Sequence, residues 1–205
     1  MSHPARRPAD PGSDEHGVAQ APVVRLVAAP PAGASGNDQV GAGVDPGTYR
    51  GVFRRHAAGV TVVTLDGPSG PVGFTATSVA SLSLEPPLIS LSVSSVSSSW
   101  PALLHADTVV VHLLSDGQDD TAQRFAAKGV DRFAPPTRWT RLPTGEPVLT
   151  ETAAWVRARL EHRIVTGDHR LLVARVLQAH VEDDDARPLI YHNGRYGTLT
   201  VDDRP

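Results

Sequence analysis

Apolar residues recur along this chain at two spacings, and the spacing divides it into elements. From Trp155 to Val165, Val156, Ala158, Leu160, His162 and Ile164 alternate with Trp155, Arg157, Arg159, Glu161 and Arg163. A strict period of two sends successive side chains to opposite sides of a strand. The stretch therefore predicts a strand with its Val156 face buried and its arginine face wet. Thr166-Gly167-Asp168-His169 reads as a turn, and Leu171–Val181 as the antiparallel partner. Apolar and β-branched runs at Val60–Leu65, Val72–Leu84, Leu88–Val93 and Thr108–Leu114 predict further strands. The second of these bends at Thr75–Ser78 and is ended by Glu85-Pro86-Pro87. Leu189–Tyr191 and Arg195–Leu199, separated by His192-Asn193-Gly194, predict a closing hairpin.

Three short helices interrupt the strands. Asp45 is placed to cap a helix starting at Pro46, with Tyr49, Val52, Phe53 and Ala57 at helical spacing and Gly59 as its stop. Trp100–Ala106 carries a proline in its first turn. Asp119–Lys128 is acidic at its start, basic at its end and followed by Gly129. Asp131–Pro147 reads as irregular. Closely spaced strands with few helices predict a mainly β protein, an antiparallel barrel rather than a parallel sheet.

Composition changes this picture at the N-terminus. Residues 1–44 hold six Pro, six Gly and nine Ala but no Phe, Trp or Tyr. Such a segment buries too little apolar area to offset its ordering entropy. The expected organisation is a disordered tail, 1–44, with Val23–Val27 an inert part of it, followed by one domain, 45–205. Cysteine is absent, which excludes disulfides, Cys-ligated zinc, iron–sulfur clusters and thiol redox chemistry. A formal charge of −3 and a pI near 6.3 argue against a nucleic-acid surface. No run approaches the ~20 apolar residues of a membrane span. Ala21–Ala29 is too short, too late and too interrupted for a secretory signal. The expectation is a cytoplasmic protein with neither a nucleic-acid nor a membrane partner.

Most familiar chemistry is missing. There is no Gly-rich loop between strand and helix, no Gly-x-Ser-x-Gly elbow, and no metal-ligating spacing among the nine His. Four clusters remain: Thr75–Ser78, Ser92–Ser99, Gly167-Asp168-His169 and His192–Tyr196. Each has a plain reading as a turn whose polar side chains satisfy their own backbone. Hydroxyls and N–H groups converging just ahead of a helix also suit a phosphate-bearing ligand.

Taken in order, these clusters resemble the flavin reductase family of flavin-binding split barrels, the reductase components of two-component flavin-dependent monooxygenases. The matching stretches are Gly-Val-Thr-Val-Val-Thr (59–64), Gly-Phe-Thr-Ala-Thr-Ser (73–78) and Ser-Leu-Glu-Pro-Pro-Leu-Ile-Ser-Leu-Ser-Val (83–93). They continue with Ser-Ser-Ser-Trp-Pro (97–101), Arg-Phe-Ala (124–126), Asp-Arg-Phe (131–133), Gly-Asp-His (167–169) and Gly-Arg-Tyr (194–196).

The resemblance implies a homodimer that binds FMN or FAD at its interface, takes hydride from NADH or NADPH, and supplies reduced flavin to a separate monooxygenase. It places Thr75, Ala76, Thr77 and Ser78 along the isoalloxazine and ribityl chain, with Ser92, Val93 and Ser94 on the same wall. Ser97, Ser98, Ser99 and the helix at Trp100 then face the phosphate. His112, Leu113, Leu114 and Gln118 lie along the cofactor's other side, and Phe133 is carried with them. Gly167, Asp168, Arg195 and Tyr196 match nicotinamide-nucleotide positions, and His169 is the residue implied to position the nicotinamide. His112 departs from the Asn usual at its position. No Lys or Arg lies between the serine cluster and Trp100. Other implied readings are a flavin-binding module without turnover, and a split-barrel oxidase or deazaflavin-dependent reductase. The last two usually need a basic cluster at the phosphate.

Overall fold

The structure, a computed structural model, describes residues 43–199 and the backbone of Val23–Val24. The rest of the expected tail, and residues 200–205 of the expected domain, lie outside the described residues. In chain order the elements are β1 (Val23–Val24), α1 (Pro46–Phe53), β2 (Ala58–Gly59), β3 (Thr61–Gly67), β4 (Gly70–Ala76), β5 (Ala80–Ser83) and β6 (Leu88–Ser94). There follow α2 (Trp100–His105), β7 (Thr108–Leu113), α3 (Asp119–Ala126), β8 (Trp139–Arg141), β9 (Pro147–Leu149), β10 (Ala154–Thr166), β11 (His169–Val181), β12 (Leu189–His192) and β13 (Arg195–Thr198).

The main sheet runs β4-β3-β7-β10-β11-β6-β5 with every neighbouring pair antiparallel, and β1 adds in parallel to β10 at Arg163 and Ile164. This sheet curls onto itself. Phe74 of β4 and Leu91 of β6, near opposite ends of the strand order, meet in one buried cluster with Leu65, Val111, Leu160 and Leu172. Leu103 of α2 plugs the same core. Burying each such leucine contributes about 1.5–3 kcal/mol. The edge strands β4 and β5 do not pair with each other, and Thr77-Ser78-Val79 carries the chain across the gap. The barrel is split at that crossing.

A second cluster covers the outside of the barrel. Val60, Val62, Phe125 of α3, Phe133, Leu149 and Leu189 pack there. β3 is thus buried on both faces, which explains why Val60–Leu65 reads as a continuous apolar run. Gly73 permits this layer: a Cβ there would stand 2.6 Å from Phe125 Cε1, so only glycine lets α3 lie on β4.

Three local expectations are corrected. α1 ends at Phe53, because Ala58 and Gly59 pair instead with Tyr191 and Ile190 of β12. The Pro-rich stretch after Asp131 contains strand β8, whose pairing with β9 was not visible in its composition. The alternation of β10 breaks at a register shift between Leu160 and His162. One extra residue inverts the facing of every later side chain. His162 is consequently exposed, while Arg163 is buried at 4% exposure. Its guanidinium donates to the carbonyls of Leu103, at 3.0 Å, and Ala106, capping the last turn of α2.

Candidate functional site

At the split, the Ser78 hydroxyl accepts the Ser92 N–H at 2.9 Å and donates to the Ser92 carbonyl at 3.0 Å. Thr77, Ser78 and Ser92 form one wall of a cavity of about 600 Å³. Tyr49 and Phe53 of α1 and Tyr191 of β12 supply aromatic surface, while Arg50, Arg54 and His56 supply cationic or titratable groups. Among the described residues no carboxylate lines it. The Asn193 N–H donates to the Arg54 carbonyl at 2.9 Å, tying the end of α1 to the β12–β13 turn. That turn has φ 48° at Asn193 and 81° at Gly194, the two positive values a two-residue hairpin of this hand requires.

Beyond Ser94 the serine cluster divides into two kinds. Ser94 and Ser97 accept local N–H groups, from Val96 at 3.4 Å and Ser99 at 3.2 Å, as ordinary turn serines do. Ser99 differs: it is 1% exposed and its hydroxyl has no partner. A buried hydroxyl left unpaired costs about 1–3 kcal/mol, so it marks a place where a ligand or water is accommodated. Ser98 and Ser99 line a small cavity of about 210 Å³ together with Gly73, Arg132 and Phe133. Arg132 donates to the carbonyls of Gly73 at 2.8 Å and Ala127 at 2.6 Å, while its Nε has no partner. The Gly167–His169 turn borders the other side of the cluster. The Ser95 N–H donates to the Asp168 carbonyl at 2.9 Å, and Arg170 donates to Ser95 Oγ at 2.7 Å while covering the Trp100 ring. His169 Nδ1 lies 2.8 Å from Asp168 Oδ1, with the His169 side chain 47% exposed. The hydrogen bond and charge of His169 hold the Asp168 carboxyl below its ordinary value.

Several expected contact residues are engaged elsewhere. The Thr75 hydroxyl donates to the Ala122 carbonyl at 2.6 Å, fastening α3 to β4. Ala76 and Val93 point into the barrel core. His112 is fully buried, with Nδ1 3.0 Å from the Val62 carbonyl and Nε2 accepting the Leu149 N–H at 3.0 Å. Both ring nitrogens are satisfied by backbone, which defines a neutral tautomer with the proton on Nδ1. Burial lowers its pKa to about 4, against the weaker opposing effect of the Val62 carbonyl. His112 is therefore a structural clamp between β3, β7 and β9, and the expected flavin contact has no free nitrogen to supply it. Leu114 packs in the outer cluster, whereas Leu113 is half exposed.

Gln118 accepts the Ser115 N–H at 2.9 Å and donates to the Glu151 carbonyl at 2.9 Å. It lines a separate cavity of about 640 Å³ beside α3, away from Thr77 and Ser78. Phe133 stacks edge-on between Phe125 and Trp139, touching the site only at the Ser98–Ser99 end. Arg195 and Tyr196 line a neighbouring cavity of about 660 Å³ on the same hairpin, which shares Asn193 with the first.

The cavity residues that sequence did not single out for the site include Tyr49, Arg50, Phe53, Arg54, Tyr191 and Arg132. The signal for Arg132 was present in Asp131-Arg132-Phe133, of which only the phenylalanine was carried forward. For α1 the helical spacing of Tyr49, Val52 and Phe53 marks a helix but not what it faces, and the helix buries no residue. The cation missing between the serine cluster and Trp100 is thus brought in by the fold, from Arg132 and Arg170.

A split barrel with a hydroxyl wall, aromatic faces and unneutralised cations has the make-up of a nucleotide-binding protein. Its relatives define its kind. The model of the flavin reductase like domain matches residues 53–200. An NADH:FMN oxidoreductase of Rhodococcus qingshengii is 50% identical over 161 residues, covering 77% of this chain and 84% of that protein. The flavin-dependent monooxygenase reductase subunit HsaB of Rhodococcus jostii is 35% identical over 78% of this chain and 80% of its own length. Among solved structures, Streptomyces globisporus NADH:FAD oxidoreductase SgcE6, in complex with NAD and FAD fragments, is 30% identical. It superimposes with a TM-score of 0.73, covering 80% of this chain and all of that one. The chain belongs to the flavin reductase family.

Proposed function

We propose that the protein is an NAD(P)H-dependent flavin reductase that passes reduced flavin to a separate monooxygenase. The observation that carries this reading is the acid-free cavity behind Thr77, Ser78 and Ser92, in a chain half identical to an NADH:FMN oxidoreductase. The residues present fit a flavin: hydroxyls and aromatic faces suit its ring and ribityl chain. The unpaired Ser99 hydroxyl and Arg132 Nε suit its phosphate. When bound, the flavin supplies the redox chemistry, accepting hydride from the nicotinamide; the protein contributes orientation and electrostatics.

Thr77, Ser78 and Ser92 hold the ring edge, Ser98, Ser99 and Arg132 hold the phosphate, and His169, fixed by Asp168, positions the nicotinamide. FMN and NADH are the pair to test first, being those of the half-identical relative. A homodimer is part of this reading. Leu84 and Val96 are 88% and 87% exposed, and Leu82 is also open. Apolar surface of this kind calls for a partner face. No helix among the described residues is long and apolar enough to cross a membrane. The cytoplasm, where reduced nicotinamide nucleotide is produced, is the compartment this function requires.

The deciding experiment mixes the protein with FMN and NADH, then NADPH, without oxygen. Bleaching of the flavin's visible absorbance at a rate proportional to protein is expected. Tight flavin binding without bleaching by either nucleotide would identify a flavin-binding module without turnover and defeat the reductase reading.

A further inference from the structure

The cavity wall facing Thr77 and Ser78 is α1, and its cations have no counter-ions among the described residues. Arg50 and Arg54 stand four residues apart, so they project from one side of the helix, and both line the cavity. Among the described residues neither forms a salt bridge or a side-chain hydrogen bond. Tyr49 and Phe53, also four apart, stack with centroids 4.5 Å from each other on the same cavity. α1 buries nothing, yet its end is fixed by the Asn193 hydrogen bond to the Arg54 carbonyl. A helix that turns aromatic and cationic side chains toward a cavity instead of a core is arranged for a ligand carrying both rings and negative charge.

The flavin phosphate does not account for that charge. Its assigned end, Ser98, Ser99 and Arg132, lines a different cavity that shares no residue with this one. The reaction uses a second phosphorylated nucleotide. We propose that Arg50 and Arg54 bind a phosphate of the nicotinamide nucleotide, with Tyr49 and Phe53 offering aromatic faces to its rings. The guanidinium fork matches phosphate oxygens in pairs, and the aromatic faces stack on planar bases. This inference rests on the reductase reading.

The test is the double variant Arg50→Gln/Arg54→Gln, which keeps good helix formers on an exposed helix, with its fold checked by circular dichroism. KM for NADH and for NADPH is measured at saturating FMN, and the Kd for FMN by fluorescence titration. KM rises about tenfold or more, the loss of a charge-assisted contact, while FMN affinity and kcat hold. A rise with both nucleotides identifies the pyrophosphate; a rise with NADPH alone identifies the 2′-phosphate. The Arg50→Lys/Arg54→Lys variant recovers part of the loss. Unchanged KM with both nucleotides, or weakened FMN binding at unchanged KM, overturns the assignment. Continued turnover in either case leaves the reductase reading standing.

Discussion

The Ser78 hydroxyl takes the place of a strand in front of Ser92. β5 pairs with β6 as far as Ala80 opposite Ser90, and two residues further along Ser78 stands opposite Ser92. Its side chain, instead of its main chain, satisfies both Ser92 groups, which keeps the wall continuous while the backbone turns into the crossing. Ser78→Ala removes both bonds. A loss of about 1 kcal/mol of stability is expected, with flavin affinity reduced roughly fivefold. Thermal unfolding and fluorescence titration with FMN measure the two effects; an unchanged Kd would detach this serine from the site.

His169 bears on hydride donation. Its ring is half exposed, oriented by Asp168, and its strand partner is Ser94. His169→Ala should raise KM for NADH or lower kcat about tenfold, a change of about 1.4 kcal/mol, with the FMN Kd nearly unaltered. Steady-state kinetics beside a flavin titration separates the two, and unaltered kinetics would remove His169 from the mechanism.

Arg132 gives the phosphate end its charge. Arg132→Gln should weaken FMN binding about tenfold while leaving riboflavin, which lacks the phosphate, bound as before. Equal losses for FMN and riboflavin would instead mean that the arginine only holds its loop on β4 through Gly73.

His112 makes stability depend on acidity. Its pKa in the folded protein, about 4, lies below the ordinary 6.5 because burial disfavours the imidazolium. The unfolded chain therefore binds this proton more readily between those values. The stabilisation is complete above about pH 6.5 and is lost as pH falls toward 4, by up to about 3 kcal/mol. His112→Asn keeps a donor and an acceptor but cannot titrate. Denaturant melts across this range should show a flatter pH dependence for the variant; parallel curves would exclude His112 as the source.

The long strands were legible because their cause is local. Alternation from Val156 to Leu160 reports a strand with one face in the barrel core, although Trp155 on the other face is also buried, against Val110 and Val148. Asn193-Gly194 supplies the two positive φ values of a tight hairpin. The Thr77–Ser78 and Ser92 wall was legible for a related reason, since a three-residue crossing keeps its parts close. The alternation misled beyond Leu160, where a single unpaired position turned Arg163 inward. Nothing in the strand's own composition marks that slip, because the neighbouring strand and the α2 carbonyls decide it.

The sequence by itself determined the mainly β architecture, the short helices, the hydroxyl-rich stretch and, through its ordered motifs, the family. Tertiary structure alone decided which polar groups remain available. Thr75, His112 and Gln118 are occupied by the backbone of Ala122, Val62, Leu149 and Glu151. Arg132 arrives beside Ser99, and Arg50 and Arg54 beside Ser78, from remote parts of the chain. Periodicity records how much of a side chain is buried. Which donor meets which acceptor depends on strand order and register, and those are set by the packing of the whole barrel.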